Sequence, residues 1–174
     1  MLKIITGAKA AGEATFTIKG DSLTIAVNAS GVPKDIEHWQ HFHGFTDGRA
    51  AACPGPSADA NHDGVIDVVE TGAAAGTTMV PFSGDPVSMD VPHGTYPKAS
   101  ATGTLQYRKT VSLSALEAAF AKAFDSQKLD LDRRVVFVHG IPAASKLQAS
   151  VASLGPIPAQ VTLPIACGKI TRVK

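Results

Sequence analysis

His38-Trp39-Gln40-His41-Phe42-His43-Gly44-Phe45-Thr46-Asp47-Gly48 is the stretch on which the reading of this chain turns, and it holds three of the six histidines. His41 and His43 are two residues apart, so on a strand both side chains point to one face. Each can offer a ring nitrogen to a common ion, which makes the pair the start of a metal site. His38 lies three before His41 and so faces the other way. Gly44 and Asp47-Gly48 end the strand, and Cys53 follows in the next loop.

Working outward on the N-terminal side, Glu13–Lys19 alternates polar and apolar, Gly20-Asp21 is a turn, and Ser22–Asn28 alternates again. This predicts a hairpin. Asn28-Ala29-Ser30 is a glycosylation sequon, a triplet too short to decide anything. Gly31-Val32-Pro33 breaks the pattern before a strand over 38–45. On the other side, residues 46–64 and 71–103 are rich in Gly and Pro and read as loops, with Thr77–Phe82 and Val87–Val91 extended. Thr104–Arg108 is a further strand. Ser114-Ala115-Leu116-Glu117 is a capping box, and Leu113, Leu116, Phe120 and Phe124 recur at helical spacing, which predicts an amphipathic helix over 114–125. Arg134–His139 reads as a buried strand; Val161–Leu163 and Ile165–Val173 are the last two. Short strands, Gly/Pro turns and one helix predict a mostly all-β, antiparallel sandwich or Greek-key barrel. At 174 residues the chain is expected to form a single domain, 1–174.

A second constellation lies in Asp59-Ala60-Asn61-His62-Asp63-Gly64-Val65-Ile66-Asp67-Val68-Val69-Glu70. Asp59, Asn61, Asp63 and Asp67 supply oxygen side chains at positions 1, 3, 5 and 9 of a calcium loop. Gly64 sits where the turn must be sharp, Val65 offers a backbone carbonyl, and Glu70 can bind bidentately at position 12. Cys53-Pro54-Gly55-Pro56-Ser57 cannot be the entering helix of an EF-hand. The loop therefore stands alone, as a structural calcium site rather than a sensor.

The stretch at 38–47 resembles the copper–zinc superoxide dismutase family, whose pattern is H-G-F-H-x-H-x-F-G-D followed by a disulfide cysteine. His38, His41, His43, Phe45 and Asp47 match in order and spacing, and Cys53 falls one residue late. Val135-Val136-Phe137-Val138-His139 resembles the later strand that ends in another copper ligand. Ile165-Ala166-Cys167-Gly168-Lys169-Ile170 resembles the closing A-C-G-x-I with the second disulfide cysteine. The likeness runs from about residue 12 to residue 170. It implies a superoxide dismutase-like Greek-key sandwich, copper held by His41, His43 and His139, a Cys53–Cys167 disulfide, and His38 as a buried histidine bonded to backbone. Such a disulfide closes a loop of over 100 residues, stabilises by roughly 4–5 kcal/mol in the chain-entropy model, and implies an oxidising compartment: secreted, periplasmic or cell-surface.

Departures from the pattern matter as much. The family's zinc and bridging histidines fall where the calcium loop lies here, and only His62 and His93 remain as candidates for a fourth copper ligand. Neither has the family spacing, which leaves a zinc site without its ligand pattern. The family's anion-binding arginine, three residues before the second cysteine, is Pro164 here. Residues 140–166 carry one charged side chain, Lys146, so little field steers an anion.

Three functions follow as alternatives: a copper protein that dismutates superoxide, a copper-binding or copper-carrying protein without turnover, and an extracellular interaction module stabilised by calcium and a disulfide. A hydrolase reading of Val136–Pro142 is set aside, because no G-x-S-x-G occurs. The ligands expected are a metal ion or a small anion. A net charge of +1 gives no basis for nucleic-acid binding, and no apolar run reaches membrane-spanning length. Met1-Leu2-Lys3 leads almost directly into strand-like sequence, as a secreted protein lacking its leader also would.

Overall fold

The computed structural model describes residues 3–4 and 9–173. The strands there form two antiparallel sheets. In the larger, β1 (Lys3–Ile4), β8 (Pro164–Lys169), β7 (Val135–His139), β4 (Gln40–Gly44) and β5 (Thr77–Pro81) are neighbours in that order. In the smaller, β3 (Ser22–Ser30) lies between β2 (Ala11–Lys19) and β6 (Thr104–Ser112). The chain crosses between sheets after β1, β3, β5 and β6, as a Greek-key sandwich allows.

The hairpin of β2 and β3 closes at Lys19↔Ser22 around Gly20, whose φ of +55° suits a residue without a Cβ. Leu23, Ile25, Val27 and Ala29 alternate toward the other sheet and are buried. Facing them are Phe42, Val136, Val138 and Ile165, with Phe82 edge-on to Phe42 at 4.9 Å. Each such side chain contributes about 1.5–3 kcal/mol by leaving water. The smaller sheet keeps its other face in solvent. In the larger, every residue of β4 and β7 is buried, so its outer face is covered too. A second apolar cluster lies there: Ala51, Ala75, Val135, Phe137 and Cys167, with Phe45 and Cys53 packed against it. Cys53 and Cys167 form the disulfide, tying the loop between β4 and β5 to the outer face of β8.

Three local expectations are corrected. The long helix (Leu113–Ala123, labelled α2; α1 is the short Gly72–Ala75) starts with Ser112, not Ser114, as its cap. The Ser112 hydroxyl accepts from Ala115 N–H at 3.1 Å, while Asp21 from the hairpin accepts from Ser114 N–H at 2.9 Å. A distant carboxylate thus completes the cap. Val87–Val91 is not extended: Pro86–Ser88 is a 3₁₀ turn whose Val87 N–H is taken by the Asp85 side chain. Val161–Leu163 is not a strand either. α3 (Ala159–Thr162) begins after Pro158, at φ −60°, and Leu163 N–H closes it on Ala159.

Candidate metal centre

β4 and β7 pair with Gln40↔Val138, His41↔Phe137, Phe42↔Val136 and His43↔Val135. Alternation sends Phe42, Val136 and Val138 into the sandwich core, and His41, His43, Phe137 and His139 to the outer face. The ladder shifts register between His41 and His43 on the β5 side, and between Val138 and His139 on the β8 side. Such irregularities re-aim side chains near functional sites.

The three histidines converge. Ring centroids are 4.9 Å apart for His41 and His43, 4.6 Å for His41 and His139, and 6.0 Å for His43 and His139. One ligand nitrogen from each lies within 4.8 Å of the others, and among the described residues no other group of three or more His, Cys, Asp or Glu does so. All three are buried, at 3%, 2% and 2% exposure. Nδ1 of His41, Nδ1 of His43 and Nε2 of His139 are buried with no hydrogen-bond partner. Unsatisfied buried nitrogens cost free energy, and three buried imidazoles that bring one nitrogen each together are the donor set that a soft or borderline metal takes up.

The surroundings orient the rings. Nδ1–H of His139 donates to the Thr162 carbonyl at 2.6 Å, which leaves Nε2 as its lone-pair nitrogen. Nε2 of His43 lies 3.3 Å from the Thr78 hydroxyl. The Phe137 ring packs against His43 at 4.4 Å. Gly76 (φ +73°) lets the chain pass close to β4, since a Cβ there would strike the Gly44 carbonyl. Burial, and then the nearby His139, push His43 down to about 3; burial pushes His139 down to about 4, against the pull of the Thr162 carbonyl. Burial, followed by His139 and His43, pushes His41 well below its ordinary value. At neutral pH all three are uncharged and ready to ligate.

His38 faces away from the group. It is fully buried, with Nδ1 and Nε2 each 2.8 Å from a backbone carbonyl, of His139 and of Pro33 respectively. His62 and His93 are exposed and stand outside the converging group. His62 has a φ of +58°, and His93 Nδ1 lies 3.0 Å from an Asp90 oxygen.

The loop at 59–70 is wrapped around its own carboxylates. Asp59 accepts from the N–H groups of Asp63 and Gly64, and Asn61 Oδ1 from that of Asp63. Asp63 accepts from Val65 N–H, and Glu70 from the N–H groups of Ala60, Asn61 and Asp67. Gly64 has a φ of +84°. Asp67 is buried, and both of its oxygens are taken: Oδ1 by Val69 and Glu70 N–H, Oδ2 by Ala152 N–H.

Comparison with known proteins adds the following. No family's sequence model matches the chain, and no curated protein sequence matches it. Among solved structures it is similar to a Cu/Zn superoxide dismutase from Brucella abortus, at 19% identity and a TM-score of 0.48 over 98% of this chain and 96% of that one.

Thr162, Thr78, Phe137 and Gly76 support the site without being legible in the sequence. Thr162 acts through its backbone carbonyl, which carries no residue-type signature, and Gly76 through the Cβ it lacks at a close approach that only the fold reveals. Phe137 and Thr78 follow only once β7 and β5 are known to flank β4.

Proposed function

We propose that this chain binds copper through His41, His43 and His139, and that superoxide is the substrate. The observation that carries the reading is the convergence of three buried, neutral imidazoles that bring one ring nitrogen each within 4.8 Å of the others. Imidazole suits copper, and the Irving–Williams order places copper above zinc. Copper, when bound, supplies an ion that alternates between two oxidation states. The chain's part is to fix the rings: Thr162 holds the tautomer of His139, and the two loops on the outer face limit water. Pro164, and Lys146 as the lone charge in 140–166, weaken attraction of an anion. We therefore expect turnover slower than in the enzymes that the sequence resembles. That same uncharged surround favours a second reading, a copper carrier without turnover.

A calcium ion in the 59–70 loop is part of the proposal, with Asp59, Asn61, Asp63, Glu70 and the Val65 carbonyl as ligands. Asp67, whose oxygens are both engaged, would contribute through a bridging water, as position 9 often does. The Cys53–Cys167 bond supports an extracytoplasmic location.

The test is copper loading of wild type against His43→Ala. Equal stoichiometry in the two removes the site. Bound copper without superoxide turnover keeps the site and leaves the carrier.

A further inference from the structure

The outer face of the larger sheet is roofed by two chain segments. Residues 45–76 pack through Phe45, Ala51, Cys53 and Ala75. Residues 140–163 bring the Thr162 carbonyl onto His139. The second segment is a long loop tied at its base, where Gly140 N–H bonds to Leu163 and Ile141 N–H to Gln160. Its far part is fastened to the first segment at one place. Ala152 N–H donates to Asp67 Oδ2 at 2.6 Å, the Ser150 hydroxyl to Asp63 Oδ2 at 2.6 Å, and the Gln148 amide to the Asp63 carbonyl at 3.0 Å, while the Asn61 amide donates to the Ser150 carbonyl at 3.5 Å.

These bonds are unequal. Asp63, Ser150 and Gln148 meet water, where competition weakens a hydrogen bond. Asp67 is 3% exposed. Its neighbour Ile66 is buried, as is Val151 beside Ala152, so a buried apolar residue flanks the bond on both segments. A buried carboxylate whose three donors are backbone N–H groups makes short, charge-assisted bonds. It also cannot lose one donor without exposing an unpaired lone pair. Two of those donors, Val69 and Glu70, belong to its own loop; the third belongs to the roof.

We propose that Asp67 is a positioning residue for the metal centre: through Ala152 it clasps the 140–163 segment down over the three histidines, so that a bound ion leaves, and a chelator enters, only when the clasp opens. The proposal rests on the reading that the three histidines hold copper.

Three variants separate the clasp from the loop that bears it. Ala152→Pro deletes the roof's N–H and leaves Asp67 and the 59–70 loop unaltered. Asp67→Ala deletes the acceptor. Ala152→Gly keeps the N–H and serves as the rescue. Two measurements are made: amide hydrogen exchange on the metal-free proteins, and the rate at which a chelator strips copper from the loaded ones. In Ala152→Pro and Asp67→Ala, exchange over 148–163 rises at least tenfold while β3 and β7 keep wild-type protection. Copper is stripped at least fivefold faster at unchanged stoichiometry, and Ala152→Gly matches wild type in both. Unchanged exchange, or a rise spread over the whole chain, overturns the clasp. A local rise with stripping at the wild-type rate overturns its role at the metal centre. A wild type that takes up no copper overturns the functional reading and this role with it, whereas a copper-binding wild type with indifferent variants overturns the clasp alone.

Discussion

His139 gives its Nδ1–H to the Thr162 carbonyl at 2.6 Å, and that single bond decides which of its nitrogens faces His41 and His43. The metal-free protein at pH 7 should therefore hold His139 as the Nδ1–H tautomer. Nitrogen-15 NMR of the imidazoles reports this directly; an Nε2–H pattern for His139 would contradict it.

The three histidines make the metal-free protein sensitive to acid. Their folded values are depressed, to about 3 for His43 and about 4 for His139, with His41 also well below normal. An unfolded histidine titrates near 6.5. Above that pH both states are neutral and the full stability is present. As pH falls below it, the unfolded chain takes up protons that the folded chain refuses, so stability declines toward the folded values. The slope is at most about 1.4 kcal/mol per pH unit per histidine. Urea unfolding at pH 7, 6, 5 and 4 should show a steady loss in wild type and a shallower one in His41→Phe.

Replacing both Cys53 and Cys167 by serine should cost roughly 4–5 kcal/mol in the chain-entropy model, because the bond spans 114 residues of sequence. Denaturant midpoints with and without reductant measure it. A wild type indifferent to reductant while demonstrably reduced would refute the estimate.

His38→Ala should loosen the junction between Pro33 and His139, since it removes the ring whose two nitrogens lie 2.8 Å from those carbonyls. A loss of about 1–3 kcal/mol follows, because a neutral ring donates one N–H and its removal leaves one acceptor unpaired. His38→Ala material that remains folded should keep the copper stoichiometry of wild type, because the ring lies on the far side of the strand.

Calcium should raise the melting temperature of wild type and leave that of Asp63→Ala unmoved. The comparison is the shift within each protein on adding calcium. The substitution also removes the Ser150 contact at 2.6 Å, so the two baselines differ.

That His41 and His43 share one face of their strand was legible, because strand alternation needs only the order of residues; which face that is was not. The convergence with His139 was legible through the likeness of three separated segments to one family. What escaped were features settled by partners far along the chain. Asp21 moves the helix cap to Ser112. Bonds from Gly140 and Ile141 to Leu163 and Gln160 accompany a helical turn where three β-prone residues suggested a strand. Asp67 looked like one more calcium oxygen, and nothing in the loop motif hinted that Ala152, 85 positions on, donates to it.

The alternation along β4 carries a consequence for how this chain can vary over time. Imidazoles and core apolar groups share one short strand in strict succession, so a one-residue insertion or deletion upstream within β4 would swap their destinations. Polar rings would be driven into the sandwich and Phe42 turned out among the loops. Point substitutions can retune the centre one side chain at a time, but length changes are confined to the loops on either side. The five residues from Gln40 to Gly44 are therefore held to a fixed length.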